Sequence, residues 1–471
     1  MWVFSASGCR WLGAGGALAV AVGGYAAGTL PVLGGGPLWQ PRGSALTVAG
    51  AVLAYLGLTL LVAAWWRYGV LLARGLRDGV LATLACWTAP LLLAPPLHSA
   101  DVYSYIAQGA MVLSGHDVYG AGPSVLAPGD LGADAAASVG GNWTDTPAPY
   151  GPAFLLLAAA VVKATGGAVV PAVLGMRLIA LGALALIVWA VRGFGGGGAL
   201  WLAVLNPLFL IHVVGGMHND GLMIGLMLGG VLLATRGRWV LGSVLVGFAM
   251  MVKSPAAVAL LFIGVMVARG GGVRALVKGL VLPGTVAGAV AAGASVLAGT
   301  GFGWVRTQSV AGAIHTPLSV TSDLGLGLGV LLTGEPDPVR GVFQKLGLAL
   351  ALAVIAALAW RSYRGRLDPV LGLGLSLAAL VVLSPMVQPW YLLWGTVVVA
   401  AVAWRGRVGQ VLAVLSAALV YETQPSGHTP WYGFVLAGVV LVAGLVWVRR
   451  SSWGSGAGGA LEDAAPVGAG R

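Results

Sequence analysis

The stretch "LLLAPPLHSADVYSYIAQG" places a carboxylate, Asp101, just past the end of an apolar run, with His98 close before it. Partial desolvation at such an edge raises a carboxyl pKa, a property that suits a general base. Helical spacing puts Asp101, Tyr105 and Gln108 on one face, with Val102, Ile106, Gly109 and Leu113 opposite. That pattern predicts an interfacial helix whose polar face lines a cavity. Helix capping is the competing reading of Asp101, because an aspartate before a helix satisfies orphan N–H groups.

Other polar residues also gather at the ends of apolar runs. "GHDVYG" carries Asp117 and Tyr119, and "DTPAPYGP" carries Asp145 and Tyr150. Mixtures of this kind suit sugars, whose apolar faces stack on rings while carboxylates bind hydroxyls; ordinary loop packing produces them too. His218, Asn219 and Asp220 follow one another before the next apolar run, a dense polar cluster for a membrane boundary. Capping explains one of them, and adjacent residues diverge too much for a zinc site. Lys253 stands inside "FAMMVKSPAAVALL", where an ammonium must face a cavity or an anion, or snorkel to the interface. Arg306 in "GFGWVRTQS" and His315 in "HTPLSVTSDLG" add cationic or hydrogen-bonding groups that a phosphate-bearing ligand needs. "SPMVQPWYLLW" brings Gln388, Trp390 and Tyr391 to a boundary, although an aromatic belt alone accounts for the rings. No metal-ligand set is apparent, and a divalent cation stays open as a cofactor.

The elements that position these residues are membrane helices. The chain has 471 residues, 58% hydrophobic and only 8% charged, where a soluble domain carries about 25% charged residues. The formal charge of +11 does not indicate nucleic acid, since Lys and Arg sit in short clusters between apolar runs. Cys9 and Cys86 suggest neither a disulfide framework nor a metal site. The N-terminal apolar stretch reads as an uncleaved signal-anchor, because many more apolar runs follow it.

Those runs lie near 12–35, 46–66, 79–97, 171–191, 197–213, 219–235, 239–252, 254–268, 275–298, 342–360, 369–384, 390–404, 408–421 and 431–448. Basic clusters such as Arg67/Arg74/Arg77, "RGR" at 236–238 and "RSYRGR" at 361–366 read as cytoplasmic. The segment 98–150 then lies outside: its 53 residues hold five Asp and no Lys or Arg. Alternation leaves run 152–165 as a tilted or re-entrant piece and predicts a break of 239–268 at "KSP". The expectation is an all-α polytopic membrane protein with about 14 crossings and both termini cytoplasmic. Its parts are an N-terminal hairpin (1–78), a catalytic module (79–300) containing the 98–150 loop, C-terminal helices (301–450) and a disordered cytoplasmic tail (451–471).

Taken in order, "SADVYSYIAQG", "GHDVY", "DTPAPYGP", "LNPLFLIHVVGGMHND", "VKSPAA" and "SPMVQPWYLLW" resemble the actinobacterial polyprenol-phosphomannose-dependent α-1,6-mannosyltransferases. The resemblance runs from about residue 75 to 430; at "GHDVY", Val118 stands where the family pattern has Pro. It implies the GT-C glycosyltransferase fold, with an active site on the extracytoplasmic face of the plasma membrane. It also implies inverting transfer from polyprenyl-phosphate-mannose to an α-1,6-mannan acceptor of a lipoglycan. Asp101 falls at the position of the essential acid in the first large external loop, with Lys253, Arg306 or His218 stabilising the departing phosphate. Another polyprenyl-phosphate sugar, such as arabinose, is the alternative within that fold. A lipid or sugar transporter is the rival class, although no internal repeat is apparent.

Overall fold

The computed structural model describes residues 5–76 and 79–450. Arg77 and the tail from Ser451, read above as cytoplasmic, lie outside the described residues. The described chain is all-helical. The principal helices are α1 (Ala6–Ala27), α2 (Ser44–Ala73), α3 (Val80–Thr88), α4 (Asp101–Leu113), α5 (Pro152–Thr165), α6 (Val169–Phe194), α7 (Asp220–Thr235) and α8 (Trp239–Met250). They continue with α9 (Val258–Ala268), α10 (Val273–Leu297), α11 (Val320–Leu332), α12 (Pro336–Tyr363), α13 (Pro369–Val382), α14 (Leu392–Ala403), α15 (Arg407–Leu419) and α16 (Trp431–Arg450).

Local sequence sets many of these boundaries. Proline occupies the first turn of α5, α12 and α13, where its missing N–H costs nothing. Asp368 caps α13 by accepting from the N–H groups of Val370 and Leu371, both at 2.9 Å. Glycines allow close helix contact: Gly16 faces Gly57 and Gly23 faces Gly50 across the α1–α2 pair.

Among the described residues, α2, α6, α10, α12 and α16 are long and apolar enough to cross a membrane. A sixth span results if Pro207–Gly215 and α7 count together, although they meet at a bend of 113°. The other apolar helices, of 10–17 residues, are shorter than the ~20 residues a bilayer core requires. The sequence shows continuous apolar runs where the backbone is broken. At "KSP" the break falls as expected: α8 ends at Met250, Lys253 is extended (φ −153°, ψ 128°), and a short turn leads into α9.

The run 152–165 forms α5, packed along α4. Gly151 at its start lies against Met251, and Gly167 just past its end lies against Leu131 and Gly132 of the 98–150 segment. The α4–α5 contact depends on Gly109, where an added Cβ would sit 2.6 Å from the carbonyl carbon of Ala158. Gly109→Val is expected to cost about 1–3 kcal/mol through overpacking, read as a lower melting temperature of the purified protein.

Candidate active site

Asp101 is the first residue of α4, one position past its N-cap Ala100, and its carboxylate contacts are to side chains rather than to first-turn N–H groups. The capping reading is therefore replaced by lateral contacts. Its Oδ2 lies 3.3 Å from Nδ1 of His218, and the Tyr105 hydroxyl donates to the same oxygen at a long 3.5 Å. The Ser99 hydroxyl accepts from the Asp101 backbone N–H at 3.1 Å. The carboxylate keeps 20% of its exposure, while the His218 side chain is fully buried. This combination leaves the acid reachable but oriented.

The expectation of a raised Asp101 pKa is overturned. Burial pushes it up, but the adjacent His218 ring, the Lys253 ammonium and the Ser99 hydroxyl together hold it below the ordinary 3.8. The residue next to the apolar run was legible from local sequence, whereas the His218 ring and the Lys253 ammonium arrive from distant segments. Asp101 is thus a carboxylate near neutral pH, the form a general base requires.

Behind this pair lies a buried ion pair. Lys253 Nζ donates to both oxygens of Asp220 at 2.9 Å, and Trp394 Nε1 donates to Asp220 Oδ1 at 2.6 Å. Asp220 is fully buried and Lys253 retains 14% exposure. The ammonium lies 4.6 Å from the centre of the Tyr391 ring, which stacks on Trp394 at 4.4 Å. The helix break at Lys253 makes this possible: an extended residue between two short helices delivers its side chain sideways. Snorkelling is therefore not its role.

The third component is a cluster of imidazoles. His218 stacks on Trp390 with ring centroids 3.7 Å apart, and His212 approaches both Trp390 (5.0 Å) and His218 (5.6 Å). His98 lies 5.7 Å from His212. His212 sits on a six-residue π-helical turn, Leu210–Gly215, of the kind often found at functional sites. Two residues here, His98 (φ 62°) and Met217 (φ 55°), adopt the left-handed backbone that non-glycine residues avoid. Among the described residues, both nitrogens of His212, both amide atoms of Asn219, Gln108 Oε1 and Trp390 Nε1 are buried without hydrogen-bond partners. Such orphans at one place suit a site that completes its hydrogen bonds with a polar ligand.

The remaining expected residues divide. Tyr150 packs edge-on to Tyr105 at 5.2 Å, and the Tyr119 hydroxyl donates to the Tyr150 carbonyl at 3.0 Å. Arg306 donates to the Tyr119 carbonyl at 3.2 Å and is otherwise exposed, so it borders this aromatic wall. Gln388 is half-buried just before the Pro389–Tyr391 turn. Asp117 is exposed and accepts from the Tyr119 N–H at 3.0 Å, which is turn duty. Asp145 is exposed as well. His315 pairs with Asp323 at 2.7 Å on an exposed surface, with no contact to the Asp101 group.

Sequence reasoning missed His212 and Trp394. His212 is hidden inside the apolar run "LFLIHVV", and Trp394 reads as one more belt aromatic. Among the described residues, no group of three or more His, Cys, Asp or Glu is arranged to hold a metal ion.

A family model described as the N-terminal domain of alpha-(1->6)-mannopyranosyltransferase matches residues 10–269. A second, described as the MptB C-terminal domain, matches residues 316–450. The chain is 36% identical to a probable alpha-(1->6)-mannopyranosyltransferase of Mycolicibacterium smegmatis, covering 86% of this chain and 81% of that protein. It is 34% identical to alpha-(1->6)-mannopyranosyltransferase A of Mycobacterium tuberculosis, covering 90% of this chain and 86% of the relative. With alpha-(1->6)-mannopyranosyltransferase B of Corynebacterium glutamicum the identity is 32%, over 89% of this chain and 77% of the relative. No solved structure matches. Matches to both halves, and relatives aligned over most of their length, place the chain in the alpha-(1->6)-mannopyranosyltransferase family.

Proposed function

We propose that this protein transfers mannose from a polyprenyl-phosphate-mannose donor to an α-1,6-mannan acceptor of a lipoglycan, at the outer face of the plasma membrane. The observation that carries the reading is the Asp101–His218 pair: a reachable, ionised carboxylate braced by a buried ring, beside a buried lysine. The names of the relatives supply the sugar and the linkage. The 98–150 segment, acidic and free of Lys and Arg, favours the outer face. A GT-C arrangement, in which short and broken helices complete the crossings, accommodates these elements.

In the proposed reaction an acceptor hydroxyl oxygen attacks C1 of mannose on the face opposite the phosphate. The bond from C1 to the phosphate oxygen breaks, and polyprenyl phosphate leaves with the electron pair. Asp101 takes the hydroxyl proton as the new glycosidic bond forms, and His218 stabilises the carboxylate before transfer. Lys253, held by Asp220 on one side and by the Tyr391 ring on the other, is the ammonium that offsets the charge of the departing phosphate in this reading. Configuration at C1 inverts, from a β-linked donor to an α-linked product.

Membranes containing the protein, given radiolabelled polyprenyl-phosphomannose and a short α-1,6-mannoside, are expected to yield a product cleaved by α-mannosidase. Transfer of arabinose from polyprenyl-phosphoarabinose, with none of mannose, would overturn the donor assignment. Product formed only from substrate enclosed in right-side-out vesicles would overturn the outer-face assignment.

A further inference from the structure

The backbone leading into Asp101 is held by a segment from the far end of the chain. His98, at φ 62°, donates its backbone N–H to the Pro425 carbonyl at 2.8 Å. Its ring Nδ1 lies 3.1 Å from both the carbonyl and the hydroxyl of Thr423. A carbonyl only accepts, so a neutral ring protonated at Nδ1 satisfies that contact. Burial keeps His98 neutral by lowering its pKa to about 4. The Pro425 carbonyl also accepts from the Thr29 hydroxyl at 3.2 Å, while Tyr103 on α4 donates to the Thr29 carbonyl at 2.6 Å. Gly427 closes over Ser99: an added Cβ would lie 3.2 Å from the Ser99 Cα.

We infer that Thr423 is a positioning residue for the reaction, acting through His98 to hold the strained turn from which Asp101 projects. A left-handed non-glycine residue costs about 1–3 kcal/mol and persists only where its surroundings over-determine it. Here the surroundings are the 423–427 segment. Without the threonine hydroxyl and its packing, the His98 ring loses one of its two contacts at Nδ1 and the turn gains freedom to relax. Asp101, beginning α4 three residues later, then drifts from its bearing on His218. Misplacement of about 1 Å at a reacting group costs up to ~100-fold in rate. The inference rests on the assignment of Asp101 as base, and the test separates the two.

Thr423→Val and Thr423→Ser are compared in the full-length protein, each alone and with His98→Ala. Thr423→Val is expected to lower kcat about tenfold with little change in KM for polyprenyl-phosphomannose, while Thr423→Ser keeps wild-type kcat. In the His98→Ala background Thr423→Val is expected to add nothing, because residues that act through one another are not additive. Backbone hydrogen exchange over residues 98–105 is expected to quicken in Thr423→Val and not in Thr423→Ser. Additive losses of kcat, or unchanged exchange in Thr423→Val, overturn the positioning role. The exchange readout holds whether or not Asp101 is the base, so wild-type transfer by Asp101→Asn with quickened exchange in Thr423→Val sinks the base assignment and not the hold on the turn.

Discussion

Asp101→Asn is expected to reduce mannosyl transfer by roughly 10²–10⁴-fold, the usual contribution of a positioned general base. The change keeps size and shape and leaves the Tyr105 and Ser99 contacts in place, while removing the charge proposed to accept the proton. KM for the donor is expected to change little, because the loss falls on the transition state. The fold should persist, since Asp101 is part-exposed and its carboxylate does not cap α4. The pH dependence follows from the sign of the shift. A carboxyl held below 3.8 is ionised at neutral pH and loses its charge only as pH falls through that lowered value. Any loss of activity just below neutrality in the wild type therefore originates in another group. Transfer by the folded Asn variant at the wild-type rate would show that Asp101 is not the base.

Lys253→Met is expected to have the largest effect on stability. It strips the fully buried Asp220 carboxylate of its ammonium partner and leaves only the Trp394 N–H against it. Breaking a buried pair from one side costs about 3–5 kcal/mol, most of it the penalty of an uncompensated charge. Removing the charge from both sides, in Asp220→Asn/Lys253→Met, is expected to restore much of that loss, because neither group then needs a counter-ion. Thermal unfolding in detergent measures both. Activity is expected to separate from stability: the double variant regains its fold but not its rate, having no ammonium for the departing phosphate. A double variant as unstable as Lys253→Met would mean that packing, not charge, dominates at this position.

The candidate site was legible in the sequence where polarity stands out against an apolar background. Asp101, the His218–Asp220 cluster and Lys253 all announce themselves in this way, since each is costly near hydrocarbon and needs a reason to be there. Which of them pair was not legible. Lys253 and Asp220 are separated by α7 and α8, and a single sequence carries no record of that contact. The direction of the Asp101 shift was misread for the same reason, because burial is local information and the compensating contacts with His218 and Lys253 are not. The helix from Asp101 to Leu113 was readable from periodicity, but it is buried on both faces from Val102 to Met111 rather than lying at an interface. The number of full-length spans was not, because hydropathy does not register where a backbone bends or breaks inside an apolar run.

The contacts that cross from residues 10–269 to residues 316–450 have an evolutionary consequence. Trp394 on Asp220, Trp390 on His218 and the Thr423–Pro425 carbonyls on His98 all join one matched half to the other. Neither half owns a complete site, so exchange of halves between diverged relatives separates partners that were selected together. A recombinant joined between them takes Asp101, His218, Asp220 and Lys253 from one parent and Trp390, Trp394 and Thr423 from the other, and is expected to lose activity where those contacts have diverged.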